Sequence, residues 1–344
     1  MASTQTENKF SLKRFILGKP LQTQALAEER LSKPIALAVF ASDALSSTAY
    51  ATEEILIVLA LAGLGASTLG ISIPVAVAIA LLLIIVTISY RQTIYAYPNG
   101  GGAYIVARDN LGELPAQIAG AALLTDYILT VAVSISSGVA QITSGFPELR
   151  PYRIEIAIGV IFIITIINLR GVTESGRIFA IPTYFFLGTM ILTLGTGLIR
   201  ALLGDLPTVT DVEPVHEGAQ ALTLFLVLRA FSSGSAALTG IEAISNGITA
   251  FKEPRSRNAA TTLLWMSGIL VVLFLGVTLM AHQIAALPSE NETVISQIGR
   301  TVFGENSPFY LLVLAGTALI LLMAANTSYA GFPRLAALAA SDGF

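Results

Sequence analysis

Cysteine is absent from all 344 residues, which removes disulfides, thiolate metal sites, iron–sulfur clusters and cysteine nucleophiles together. Histidine is nearly as scarce, with His216 and His282 the only two, too few for a multi-histidine metal site. Charge is thin as well. Asp, Glu, Lys and Arg make up 12% of the chain, about half of what a soluble domain carries, so a water-soluble enzyme is a poor reading. The 19 basic residues face 22 acidic ones for a net of -3, and no basic excess points to nucleic acid as a partner. What the chain has in quantity is apolar: 54% of residues are hydrophobic and the mean hydropathy is +0.76.

The apolar residues come in blocks. A membrane helix needs roughly 20 of them in a row, because its backbone groups must bond within the segment. Eight blocks reach that length, near 34 to 62, 72 to 94, 115 to 143, 153 to 169, 178 to 201, 220 to 249, 259 to 281 and 308 to 331. The first starts too late, and too many follow, for a cleaved signal peptide. The sequence thus predicts an all-α polytopic membrane protein of about eight transmembrane helices. Basic residues are retained in cytoplasmic loops. Lys9, Lys13, Arg14, Lys19, Arg30 and Lys33 precede the first block, and Arg91, Arg108, Arg170, Arg177, Lys252, Arg255, Arg257 and Arg334 share its side. Only Arg150, Arg153, Arg200 and Arg300 fall opposite, among Asp205, Asp211, Glu213, Glu217, Glu290, Glu292 and Glu305. Both termini are expected inside and both histidines outside.

Three blocks carry acids and hydroxyls where a charge costs roughly 2.5 to 3.5 kcal/mol on insertion scales. FASDALSSTAYATE (Phe40 to Glu53) sets Asp43, Ser46, Ser47 and Tyr50 at helical offsets. LTDYILTVAVSIS (Leu124 to Ser136) places Asp126, Thr130 and Ser134 four apart on one helix face. FSSGSAALTGIEAISNG (Phe231 to Gly247) repeats the rhythm with Ser235, Thr239, Glu242 and Asn246. The sixth block also reads as interrupted, since Ser232 to Ser235 and Gly240 make a weak helix, and the first has a similar hydroxyl-rich stretch at Ser42 to Thr48. Interrupted spans free carbonyls and half-helix ends, which transporters use to hold ions or substrate at matching points of two inverted repeats. Spans one and six are five apart, the spacing that an inverted five-helix repeat requires. Single hydroxyls in such helices also serve packing alone, and Asp43, Asp126 and Glu242 admit a structural ion pair with Arg229 or with one another. Arg229 could equally snorkel outward, and Glu53 and Glu54 could be solvated at the outer end of the first span.

These stretches, with YPNGGGAYIVARDNLG (Tyr97 to Gly112), NLRGVTESGR (Asn168 to Arg177) and LTGIEAISNGITAFKEPRSRNA (Leu238 to Ala259), resemble the KimA-type potassium importers of the amino acid, polyamine and organocation (APC) transporter superfamily, from Pro34 onward. The resemblance implies a LeuT-like inverted repeat with discontinuous first and sixth spans. It assigns 1–33 to a cytoplasmic N-terminal segment, 34–203 to the first repeat, 204–219 to an extracellular loop and 220–344 to an incomplete second repeat of three helices. It implies potassium import by proton symport across the bacterial plasma membrane, with no cofactor: potassium is the substrate, the proton the coupling ion and the lipid bilayer the setting. The potassium-binding positions it carries over are Asp43, Tyr50, Asp126, Tyr127, Thr130, Ser134, Thr239 and Glu242, with Glu242, Asp126 and Asp43, in that order, as proton-coupling residues. A tyrosine of the tenth span has no counterpart before FPRLAALAASDGF (Phe332 to Phe344), so a truncated second repeat is expected. The resemblance also implies homodimer formation and cyclic di-AMP inhibition through a C-terminal region of the family that is expected to be absent here.

Related sequences with these motifs are amino acid permeases, and a proton-coupled amino acid permease is the alternative. Amino acid carriers of this fold aim a glycine-rich break at the substrate carboxylate. Here that stretch has no glycine and contains Asp43, which repels a carboxylate and attracts a cation. A passive channel would use the same ligands. An intramembrane aspartyl protease would need paired aspartates sharing a proton, but no glycine-bracketed aspartate motif accompanies Asp43 or Asp126. YPNGGGAY lacks the strand and Lys-Ser/Thr pair of a phosphate loop and is expected to be a bend, while FKEPRSRNA is a basic turn serving topology or gating.

Overall fold

The computed structural model describes residues 30–100, 102–169, 176–215 and 220–343. Expectations that fall on Lys9, Lys13, Arg14, Lys19, Gly101, Arg170, His216 and Glu217, and on the side chain of Arg177, lie outside the described residues. The described chain is helical, and its one isolated bridge joins Leu31 to Phe251. Helices α1 (Lys33–Ser46), α2 (Ala51–Ala60), α3 (Ser72–Ala96), α4 (Ala103–Leu111), α5 (Glu113–Gly145) and α6 (Arg153–Leu169) are followed by α7 (Gly176–Leu202), α8 (Leu224–Gly234), α9 (Ala243–Asn246), α10 (Arg255–Gln283), α11 (Val294–Phe303) and α12 (Pro308–Ser341).

Seven stretches among the described residues are long and apolar enough to cross a membrane. The first apolar block is not one of them, and it is divided. The reason is local. Ser46 Oγ donates to the carbonyl of Asp43 at 2.7 Å, Ser47 Oγ to that of Ala44 at 2.6 Å and Thr48 Oγ1 to that of Leu45 at 2.7 Å. Three successive hydroxyls bonding three residues back compete with the helix's own amides. The chain tightens into a 3-10 turn over Ser47–Ala49 and restarts at Ala51. The expected helical offset of Tyr50 from Asp43 is therefore lost.

The sixth block departs further. After α8 the chain makes a 3-10 turn over Ser235–Leu238, runs extended at Thr239 (φ -60°, ψ 149°) and turns at Gly240 (φ 77°) before the short α9. Ser235, Thr239, Glu242 and Asn246 thus do not form the continuous stripe that 3.6-residue spacing predicts. Gly240 is required twice over. Its backbone is left-handed, and a Cβ there would sit 2.6 Å from the Ala44 amide nitrogen, so the two interrupted segments cross at that point. Ser47 Oγ also reaches the Ala237 carbonyl at 3.3 Å.

Around this crossing, α12 packs along α5, α7 and α1, and α10 along α3 and α1. Buried hydroxyl pairs tie neighbours together, Thr87 with Ser267 at 2.8 Å and Thr52 with Thr278 at 2.9 Å. The outward faces of α3 and α6 expose Leu81, Ile85, Ile88, Ile158 and Phe162, a lipid-facing surface rather than a wet one. Tyr104 and Arg108 of α4 both bond Asp342 just past α12. The turn after Phe251 pairs with the N-terminal segment, with Leu31 N–H donating to Ala250 O at 2.8 Å and Lys252 N–H to Leu31 O at 3.1 Å.

Candidate functional site

A cavity of about 310 Å³ lies beside the crossing, lined by Asp43 and Phe40 of α1, Tyr127 and Leu123 of α5, Glu242 and Asn246 of the sixth segment, Thr327, Ser328 and Gly331 of α12, and the Asn99–Gly100 turn. Three carried-over residues, Asp43, Tyr127 and Glu242, share its wall, whereas Tyr50, Asp126, Thr130, Ser134 and Thr239 are not on it. Asp126 is nonetheless close enough to act electrostatically on Asp43, Tyr50 and Glu242. The Tyr50 hydroxyl is hydrogen-bonded with Thr239, which spans the two interruptions. α5 is unbroken, so Asp126, Thr130 and Ser134 keep their one-face spacing. Thr130 and Ser134 are fully buried on it.

The two carboxylates on the cavity are held differently. Glu242 accepts from Tyr90 Oη at 3.0 Å, from Asn246 Nδ2 at 2.8 Å and from the Ala103 N–H. Asp43, only 7% exposed, keeps Oδ1 without a hydrogen-bond partner, and the Ser328 hydroxyl is likewise buried and unpaired. An orphaned buried polar atom costs about 1–3 kcal/mol, and two of them on one small cavity mark where a ligand with positive charge would be welcomed. The Asn99–Gly100 turn lies on the same wall, with Gly100 at φ 104°, where an added Cβ would sit 3.2 Å from the Asn246 carbonyl oxygen. This is the bend expected of YPNGGGAY.

Several lining residues escaped the sequence reading. Thr327 and Ser328 lie in the last apolar block, where Asn326, Thr327 and Ser328 in succession were the available signal; Tyr90, which is off the wall but donates to Glu242, gave none. Arg229 is exposed on α8 and forms no salt bridge among the described residues, so the intramembrane acids are not neutralised by it. Glu53 and Glu54 are not freely solvated: Glu53 Oε2 accepts from the Val294 N–H at 3.4 Å and Glu54 Oε2 from Ser233 Oγ at 3.3 Å.

Residues 34–344 match the family model described as amino acid permease. The chain belongs to the amino acid permease family. It is also 50% identical, over 332 residues, to the potassium transporter KimA of Bacillus subtilis (strain 168), an alignment covering 96% of this chain and 54% of that protein. The chain thus spans about half the length of the curated relative it matches. Membership in this family, together with the seven long apolar helices among the described residues, makes the chain a multi-pass membrane protein, as the motifs led one to expect.

Proposed function

We propose that this permease carries potassium into the cell by proton symport across a bacterial plasma membrane. The observation that carries the reading is the bare, buried Oδ1 of Asp43 at the end of a broken helix, on a cavity whose remaining polar wall is hydroxyls, two amides and a second carboxylate. A potassium ion must exchange its water for several oxygens, and selective sites are built from carbonyls, hydroxyls and few carboxylates. The name of the 50% identical relative, a potassium transporter, supports the same substrate. In this reading Tyr127 and Ser328 join Asp43 as ligands, Asp126, Thr130 and Ser134 supply field and polarity from α5, and Tyr50 with Thr239 closes the path. Glu242, hydrogen-bonded on the cavity wall, exchanges the coupling proton with Asp126 and Asp43. The cavity opens to the cytoplasm, on the side of Arg30, Lys33 and Lys252, with the N-terminus inside. The first repeat ends near 203 and the second begins near 220.

The family description favours one other reading, proton-coupled amino acid uptake. Asp43 argues against it, since its charge would repel the amino acid carboxylate and three hydroxyls already occupy carbonyls at the break. Proteoliposomes separate the two. Inward potassium accumulation beyond the membrane potential, driven by an acid outside and collapsed by a protonophore, is the expected result. Uptake of labelled amino acids without potassium movement would overturn it.

A further inference from the structure

A second cavity, of about 260 Å³, has Tyr50 on its wall, with Glu53, Glu54, Gln141, Arg153 and Glu292 among its other lining residues. Glu292 is spent on Arg300, 3.0 Å away. Arg153 is spent on neutral acceptors, the Thr143 hydroxyl at 3.2 Å and the Glu290 carbonyl at 2.5 Å. Glu290, also on this cavity, has its side chain exposed. Glu53 and Glu54 therefore hold two carboxylates with one neutral donor each and no ion pair among the described residues. A different observation points into the same space. Gln141 is 1% exposed and its Oε1 has no hydrogen-bond partner, although a buried amide oxygen left unpaired is costly.

We propose that this second cavity is an outer binding site for a monovalent alkali cation, coordinated by Glu53, Glu54 and the Gln141 amide oxygen. The inference builds on the potassium reading above and adds a staging position: the ion waits here until Tyr50, hydrogen-bonded with Thr239, gives way to the inner cavity. Of the four carboxylates on the wall, Glu292 is paired with Arg300 and Glu290 is solvent-exposed, so Glu53 and Glu54 facing the single charge of Arg153 leave the inner wall with one net negative charge, which matches a monovalent ion better than a divalent one.

Equilibrium binding of thallium(I), a potassium substitute, to the purified chain in nanodiscs tests this. Relative to the unaltered protein, the double variant Glu53→Gln/Glu54→Gln is expected to bind one ion fewer per chain. Gln141→Glu, which adds a carboxylate where the orphan oxygen sits, is expected to tighten one site by about tenfold and carries the test if the double variant does not fold. Unchanged stoichiometry in the first, or unchanged affinity in the second, overturns the outer site, as does calcium displacing thallium from it. Asp43→Asn reports on the inner site separately: if it loses no ion while Glu53→Gln/Glu54→Gln does, the inner reading fails and the outer one stands.

Discussion

Asp43 and Glu242 are both acids within membrane-spanning segments, yet their surroundings assign them different work. Glu242 is held by Tyr90, Asn246 and the Ala103 amide, and a hydrogen-bonded carboxyl on the cavity wall is well placed to pass a proton. Glu242→Gln is expected to abolish the dependence of uptake on a pH gradient, measured in proteoliposomes; undiminished pH-driven uptake would remove it from the coupling. Tyr50→Phe breaks the bond to Thr239 and is expected to weaken apparent potassium affinity by roughly tenfold, about what one hydrogen bond is worth. On the far face Arg300 bonds Asp211 through both guanidinium nitrogens, at 2.8 and 3.1 Å, and holds its carboxyl below the usual carboxylate range. Because that value is depressed in the folded state, the stabilisation is present above the unfolded carboxylate range and fades as pH falls through the lowered value. The Asp211 side chain is 63% exposed, so solvent limits the effect to under about 1 kcal/mol. Asp211→Asn should lower thermal stability slightly at neutral pH and not at all in strong acid. Loss of stability that persists in strong acid would contradict that account. The acids and hydroxyls of these motifs were legible because a polar group in an apolar block is conspicuous. Thr327 and Ser328 were not, since two hydroxyls in a helix are as readily packing residues until the cavity beside them is seen.

At the scale of elements, the interruptions decide which side chains meet. Helical periodicity placed Asp126, Thr130 and Ser134 on one face correctly because α5 runs unbroken through them. It misplaced Tyr50 and Thr239, because periodic counting assumes 3.6 residues per turn through Ser47–Ala49 and Ser235–Leu238, where the chain is 3-10, and through Thr239, where it is extended. The sixth interruption was foreshadowed by Gly240, the first by hydroxyls alone. What no sequence pattern announces is that the two breaks touch. Gly240→Ala would force a Cβ to within 2.6 Å of the Ala44 nitrogen on a left-handed backbone, a strain of about 1–3 kcal/mol. A lower unfolding temperature together with weakened ion binding is expected. An Ala variant with unchanged stability and affinity would mean that the crossing does not hold the site together.

Across the whole molecule, the polar interior holds one cavity beside Asp43 and another beside Tyr50, Glu53 and Glu54. The helical blocks and the family were readable from the chain because apolar length and long motifs are local properties. The cavities were not, since each is walled by segments distant in sequence, α1, α5 and α12 meeting at the first and α2, α5 and residues 289–293 at the second. The most direct measurement is anomalous diffraction from crystals of the permease grown in thallium(I). The account predicts a peak within coordination distance of Asp43 Oδ1 and Ser328 Oγ, lost in Asp43→Asn. A peak elsewhere, with that cavity empty at thallium concentrations that saturate binding, would contradict it.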